Sequence, residues 1–558
     1  VFDLETTGLS CFHGARIAGV AVQVHGLRGY FPFRHAEGNL PLNLLLPLLS
    51  AVWTPGKTVT GHNVQRFDVQ HTVHENPHEF GRLLLPGNGV TVRDTMIAAL
   101  LDNENVESFK LEALAERHGI PDPWAMSHAL DAELKARKLK KDSMWRLPPE
   151  KVAPYACADV RLAGALDTSL TRNLAWQELT GLLQPMCEYA RLLARMERRG
   201  LLMDADRLRG NAGIAAGLAT SLLAEIREAA GSEALNPRSP KQLSAWLGIP
   251  STAKKVLKQM NHPHAKLLTR YRCAEKAGGT YYQPILDLLD EHGVLHPQLN
   301  LTRDPSDVGG TRSGRLSCSK PNFQALPKTD DIYRVRECVI ARPGYVILSC
   351  DYERAEVWMA GSFCGDPAIE AAYYQDVDLY EGLAAELKVT RDQAKIVFLA
   401  IQYGVGAWKL GLMLGIPEEA ARGIIHDFRR SYPRIARAMY AHAQEAEETG
   451  EITLFTGRKA HFDGEVSTFY SGWNRRVQGS VGEMMRLTQQ ALESPLDSYG
   501  AHMLLQVHDE LMVECPVENV RPVAALVQAV ATSFDEFALR PRISIGVGAN
   551  YEDAKKAA

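Results

Sequence analysis

"LQVHDELMV", residues 505–513, sets His508, Asp509 and Glu510 side by side between two runs of alternating apolar residues. Such alternation marks two short strands, and Asp is a common turn residue, so the trio reads as the tip of a β-hairpin. A hairpin tip by itself carries no chemistry. It gains some if a second carboxylate is brought beside Asp509. "YVILSCDYERAEVWMAG", residues 345–361, offers one: an apolar strand from Tyr345 to Leu348 runs on to Asp351, and a helical pattern follows. Carboxylates on neighbouring strand ends are what two divalent cations, about 3.5–4 Å apart, require.

A third stretch, "TRDQAKIVFLAIQYG" (residues 390–404), opens with Thr390 and Gln393 in capping-box spacing. From that start Arg391, Lys395, Leu399 and Tyr403 recur every four residues and share one helical stripe. Cations in a first turn oppose the helix dipole, which favours acids there. Together with the free amides of a helix start they make a site for a polyanion such as a triphosphate.

The front of the chain repeats the theme of paired acids. "VFDLETTGL" (residues 1–9) places Asp3 and Glu5 two apart on a strand, so both carboxylates project from one face. "GHNVQRFDVQ" (residues 61–70) adds Asp68, and "YACADVRLAGAL" (residues 155–166) adds Tyr155 and Asp159, four apart on a helix. Like charges facing one way repel unless a cation sits between them. Two other patterns carry less. Gly56-Lys57-Thr58 imitates the end of a phosphate loop, but Ala51 stands where that loop needs Gly. His71, His74 and His78 have helical spacing without a clear further ligand and read as a solvated helix face.

The bulk numbers set the frame. A length of 558 residues corresponds to roughly three to four domains. Hydrophobic content of 46% and charged content of 23% are those of a globular protein. The net charge of -4 excludes bulk attraction to nucleic acid but not a local basic cleft. Nine Cys with no CxxC pair point to reduced thiols and an intracellular setting. No apolar run approaches the roughly 20 residues of a membrane span, the first residues do not read as a signal peptide, and the sequence shows no repeat or low-complexity tract. Val1 is not Met, and the first residues already read as a strand, which fits a natural start upstream. "LLQPMCEYARLLARMERRG" (residues 182–200) reads as a helix leading away from the first domain. "LNPRSPKQLSAWLGI" (residues 235–249) shows a helix start with Ser239 as N-cap and Pro240 in the first turn.

Residues 1 to about 175 resemble the proofreading 3′–5′ exonuclease domains of the DEDD type, in the variant with Tyr in the last motif: Asp3, Glu5, Asp68 and Asp159 match its acids and Tyr155 its tyrosine. That resemblance implies an RNase H-like domain, two divalent ions on the four acids, a water oriented by Tyr155, and Asn63 holding the DNA end. The three later motifs, in their order, are similar to those of family A DNA polymerases, the DNA polymerase I family. The similarity extends through "TRSGRLSCSKPNFQALP" (residues 311–327), "NRRVQGSVGEMM" (residues 474–485) and "GVGANYEDA" (residues 546–554).

The implied architecture is α/β and multi-domain, an exonuclease domain (1–175) followed by a right-hand polymerase domain (176–558). Its thumb is expected at about 190–295, its palm at about 296–361 and 481–558, and its fingers at about 362–480. By the same resemblance Asp351, Asp509 and the backbone carbonyl of Tyr352 hold two Mg²⁺ ions, or Mn²⁺ in their place, with Glu510 close by. Arg391 and Lys395 grip the triphosphate. Glu356, Leu399, Tyr403 and Tyr380 shape the nucleotide pocket. Arg315, Gln478, His508, Asn322, Gln324 and Asn474 contact primer–template DNA.

Three positions depart from the family pattern. Leu399 stands where an aromatic residue is usual, Trp358 replaces an Arg that often ends the first palm motif, and Tyr380 occupies a place frequently held by a phosphate-binding His. In relatives, Tyr at the place of Leu399 admits dideoxynucleotides and Phe excludes them. The expected partners are primer–template DNA and deoxynucleoside triphosphates, acting on a monomer in a bacterial or phage-host cytoplasm, with an organelle matrix left open. No 5′ nuclease domain and a phage-type or short bacterial arrangement are expected. No thioredoxin-type processivity partner is expected either, because the segment from Ile249 to Leu268 is short. A nuclease whose second half only holds DNA, or a silent DNA-binding scaffold, would have no need of both intact acid sets. Glu356 weighs against ribonucleotide substrates, whereas template choice, DNA or RNA, stays open.

Overall fold

The structure, a computed structural model, describes residues 1–253, 256–257, 262–302, 313–462 and 471–558. The start of the stretch 311–327 and part of the segment 249–268 therefore lie outside the described residues.

The N-terminal unit opens with an antiparallel sheet of β1 (Phe2–Thr6), β2 (Ile17–Val24) and β3 (Leu27–Pro32). Phe2 and Leu4 point into a core with Ile17, Val20, Leu49 and Trp53, which leaves Asp3 and Glu5 on the opposite face. A parallel pair, β4 (Thr58–Gly61) and β5 (Thr91–Asp94), stands beside it, and α1 (Asp68–Glu75) starts on Asp68. The long helix α2 (Pro149–Trp176) lies along the first sheet and brings Tyr155 and Asp159 towards Asp3.

The three histidines do not form a solvated face. His71 is buried, with its ring tilted against Phe67 and its Nδ1 bonded to the Phe67 carbonyl, and burial pushes it down to about 4. Helix α1 ends at Glu75, so His78 belongs to a separate turn, Pro77–Phe80. Lys57 donates to the Ala51 carbonyl at 2.7 Å, at the end of the preceding helix Leu45–Val52.

The helix α3 (Thr180–Arg199) joins the N-terminal unit to the rest. One face is apolar, yet Arg191 on it is only 2% exposed. Its guanidinium bonds the Leu84 carbonyl at 2.6 Å and Glu493 at 2.8 and 2.5 Å. A buried charge of this kind is tolerated only when paired, and Arg191 finds its partners on both sides of the join. The apolar core is continuous across the join: Ile97, Leu101, Leu166 and Leu170 share one cluster with Leu193, Ile347 and Val513. Beyond it, α4 (Ala205–Ala230) and α5 (Pro263–Lys276) pack together around Leu222, Ile226 and Leu268. Between them Ser239 caps Pro240–Leu247, accepting from the Gln242 amide as its sequence predicts.

A four-stranded antiparallel sheet follows, built from β6 (Tyr345–Tyr352), β7 (His502–Val507), β8 (Glu510–Pro516) and β9 (Ile543–Gly548) in the order β7-β8-β6-β9. The insertion between β6 and β7 includes α6 (Ala355–Cys364), α7 (Leu379–Leu387) and α8 (Arg391–Gln402), and its core sets Phe398 against Tyr380, Phe428 and Tyr432. It returns through the 27-residue α9 (Gly472–Ser498). The last helix, α10 (Tyr551–Ala557), folds back onto β9. That approach needs Gly546 and Gly548, because a Cβ at either would collide with the backbone of Ala554.

Candidate active site

Strand β7 ends at Val507 and β8 begins at Glu510, so His508 and Asp509 form a two-residue turn. His508 takes the left-handed conformation (φ 59°) that a tight hairpin of this length demands. The Asp509 carbonyl accepts from the Tyr352 amide at 3.1 Å, and Asp351 pairs with Glu510 across the ladder. Asp351 and Asp509 thus meet at adjoining strand ends. Burial raises the Asp509 carboxyl above its ordinary range, and the charge of Asp351 raises it further.

Glu510 falls inside the strand, not at the tip, and is buried. Its oxygens are taken by Ser349 Oγ, by the Tyr551 hydroxyl at 3.0 Å and by Lys555 Nζ at 2.6 Å. Lys555 also reaches Asp351 Oδ2 at 2.9 Å. Burial alone would lower the Lys555 ammonium, but its two carboxylate partners outweigh burial and raise it. The glycine-dependent seat of α10 delivers this lysine, which the sequence did not disclose.

Beside the turn, a cleft of about 370 Å³ is lined by Arg315, Gln324, Asn474, Gln478 and His508. His508 Nε2 donates to the Gln324 carbonyl at 3.1 Å, while Gln324 Nε2 donates to the carbonyls of Leu316 and Gln506 at 3.2 Å. Asn322 is exposed outside this lining and caps the turn Phe323–Ala325. Tyr352 anchors the floor through its hydroxyl, 2.7 Å from Thr488 Oγ1.

On the other side, Glu356 of α6 accepts from Arg315 and from the Tyr403 hydroxyl, one at each oxygen. Burial raises its carboxyl and Arg315 opposes that shift. The capping box of Thr390 and Gln393 is present in full, so α8 begins where its sequence sets it. Arg391 and Lys395 are exposed, and Leu399 lies partly buried against the neighbouring core. Phe398 points into that core and cannot replace the aromatic missing at Leu399. Tyr380 is only 4% exposed, with Arg391 over its ring face at 5.9 Å.

In the N-terminal unit the sequence-predicted acids converge. Asp3, Glu5 and Asp159 bring carboxylate oxygens within 4.8 Å of one another. Asp68 stands beside Asp3, outside that closest group, with its Oδ1 buried and unpartnered. Burial pushes Asp3 up to about 7 and drives Glu5, Asp68 and Asp159 upward as well. Tyr155 hydrogen-bonds Asp159. Asn63, in a left-handed conformation, lines a neighbouring cavity of about 330 Å³ with Leu9, Phe12 and Arg66. Two neighbours had no sequence signal: Lys141, 4.7 Å over the Tyr155 ring, and Glu112, 3.9 Å from Lys141. The all-oxygen donor set and the orphaned Asp68 oxygen fit hard divalent cations.

Residues 213–553 match the family model described as DNA polymerase family A. The chain belongs to that family. Among similar proteins, DNA polymerase I of Deinococcus radiodurans is 31% identical over 401 residues, covering 65% of this chain and 41% of that protein. DNA polymerase I of Pseudomonas aeruginosa is 26% identical over 609 residues, covering 99% and 63%. The DNA-directed DNA polymerase of Pseudomonas phage M6 is 28% identical over 579 residues, covering 89% and 84%. The chain thus spans 41% and 63% of the length of the two bacterial relatives. In fold it is similar to the POL domain of Pol1 from M. smegmatis in complex with DNA primer-template and dNTP. The TM-score is 0.78 at 21% identity, with 99% of this chain and 96% of that one covered.

The raised acids of the N-terminal unit give a stability prediction. A carboxyl whose pKa is higher folded than unfolded makes the folded state the stronger proton binder, so stability falls as pH rises between the two values. With Asp3 near 7, the metal-free protein should gain a few degrees in Tm between pH 8 and pH 6. Thermal unfolding in chelator should show this, and Asp3→Asn with Glu5→Gln should make the slope shallower, leaving the part due to Asp68 and Asp159. The same slope in the double variant would place its origin elsewhere.

Proposed function

We propose that this chain is a template-directed DNA polymerase that extends a primer 3′ end with deoxynucleotides and proofreads through a 3′–5′ exonuclease at residues 1–175. The observation that carries this reading is one juxtaposition. Asp351 and Asp509 sit at adjoining strand ends, beside a cleft lined by Arg315, Gln324, Asn474, Gln478 and His508. The insertion that follows β6 presents Arg391 and Lys395. In this reading the four-stranded sheet is the palm, the helices around 190–295 the thumb, and the insertion of about 362–480 the fingers. The similar M. smegmatis domain, in complex with primer-template and dNTP, supports the same pair of ligands here.

Divalent cations of the Mg²⁺ class, held by Asp351, Asp509 and the Tyr352 carbonyl, would neutralise charge on the attacking and leaving oxygens. The chain's own groups do the rest. Arg391 and Lys395 hold the triphosphate, Glu356 and Tyr403 bound the sugar, and Arg315, Gln478 and His508 seat the primer terminus. In the N-terminal unit Tyr155 orients the attacking water while Asn63 holds the strand end. Among the described residues no helix is long and apolar enough to cross a membrane. We expect the reaction to run in a cytoplasm, the reducing setting that nine free cysteines favour. A labelled primer–template, incubated with and without deoxynucleotides, tests both activities: extension in one lane, shortening in the other. If neither product formed, this reading would fail.

Leu399 adds a specificity prediction. It lies one turn after Lys395 and one before Tyr403 and offers no polar atom to a nucleotide lacking its 3′-hydroxyl. The enzyme should therefore discriminate against dideoxynucleotides. Leu399→Tyr should relax that selection at least tenfold, equivalent to about 1.4 kcal/mol. Competition at one template position, in an exonuclease-silenced background, measures the ratio; an unmoved ratio would mean that Leu399 does not face the sugar.

A further inference from the structure

Arg354 precedes α6 in a left-handed conformation (φ 50°). Its guanidinium lies 5.7 Å from the Trp358 ring, one turn on, and 3.5 Å from Asp378 Oδ2. Arg391, from the start of α8, reaches the same oxygen through Nε at 2.8 Å and Nη2 at 2.5 Å. The other Asp378 oxygen is engaged at 2.9 Å by the Tyr380 amide, as the cap of α7. Two guanidinium groups therefore converge on a single carboxylate oxygen. Glu381 and Asp392 also act on Arg391 at longer range, but the shared oxygen gives the two forks a single close acceptor, whereas a polyphosphate offers each fork its own pair of oxygens. Both arginines keep a route to such a ligand, with Arg391 47% and Arg354 29% exposed.

From this geometry we infer that Arg354 is a triphosphate-binding residue and that Asp378 is a placeholder carboxylate which an incoming nucleotide's phosphates displace. The inference rests on the polymerase reading above. It also accounts for Trp358: the cation absent from that position is supplied one turn earlier, by a guanidinium packed on the indole face. Glu356, two residues further, faces Arg315 and Tyr403. Phosphate and sugar contacts would then follow each other along one short stretch of chain.

The test uses the full chain with Asp3→Ala and Glu5→Ala to silence degradation. Arg354→Asn is the variant of choice, because Asn tolerates the left-handed backbone. Calorimetric binding of a deoxynucleoside triphosphate, and of inorganic tripolyphosphate, should weaken at least fivefold, while primer–template affinity stays within twofold. Asp378→Asn keeps the helix cap and removes the competing charge, so both ligands should bind more tightly. A merely structural role would not give opposite signs in the two variants. Unchanged triphosphate binding in Arg354→Asn would overturn the assignment of Arg354, and weaker binding in Asp378→Asn would overturn the placeholder role. Because binding is read without extension, failure of the wild-type chain to extend a primer would count against the polymerase reading alone.

Discussion

Asp509→Asn is expected to reduce primer extension by at least a thousandfold, about 4 kcal/mol of transition-state stabilisation, while 3′-end degradation stays near normal. The substitution keeps the side-chain shape and removes the charge that, with Asp351, would hold divalent cations at the strand ends. The turn itself should survive, because its contact to β6 runs through the Asp509 carbonyl and the Tyr352 amide. Asp3→Ala with Glu5→Ala should do the reverse, abolishing degradation and sparing extension. Steady-state assays of both activities on one labelled substrate decide the matter. The shared core gives the test its edge: Leu166 and Val513 belong to one apolar cluster, so a packing defect could spread from one part to the other. Circular dichroism and Tm on each variant separate such a defect from lost chemistry. If a folded variant lost both activities, the two sites would not be independent.

The parts of the site that were legible in the sequence are those in which a local pattern fixes the position of a side chain. The alternation around residues 505–513 can place Asp509 only at a turn, and it lies there. The run from Tyr345 carries Asp351 to the C-terminal end of the central strand β6, as an apolar strand followed by a helix requires. Thr390 and Gln393 set the start of α8 to the residue, because a capping box is a local exchange between two side chains and two amides. Asp3 and Glu5, two apart, share a strand face, and Tyr155 and Asp159, four apart, share a helical one.

What was not legible depends on contacts between distant segments. Lys555 reaches Asp351 and Glu510 only because two glycines let the last helix press on β9. The Arg354–Asp378–Arg391 convergence joins three elements that the sequence separates by insertions. Glu104, in the N-terminal unit, is buried against His461 and Arg475 from more than 350 residues away, and nothing in its neighbourhood announces it. His71 misled for a related reason. Helical spacing showed which residues could share a face, but the ring of Phe67 and the core behind it decided that His71 is buried.

Glu356→Ala should relax discrimination between ribo- and deoxynucleotides by about a hundredfold, near 2.7 kcal/mol, and slow deoxynucleotide incorporation as well. Both effects follow from its position. The carboxylate is half-buried and fixed from two sides, by Arg315 and by the Tyr403 hydroxyl, so it cannot swing aside to admit a 2′-hydroxyl. Removing it opens space beside the sugar and leaves the guanidinium and phenol without their shared partner, which costs pre-organisation of both walls. Glu356→Gln separates the two contributions. It keeps the bulk and loses the charge, so it should share the rate loss while retaining most of the sugar selection. Single-turnover incorporation of matched ribo- and deoxynucleotides, at saturating primer–template, measures rate and selection together. Should Ala and Gln relax selection equally, the barrier to the 2′-hydroxyl would lie in the placement of Arg315 and Tyr403, not in the bulk of Glu356.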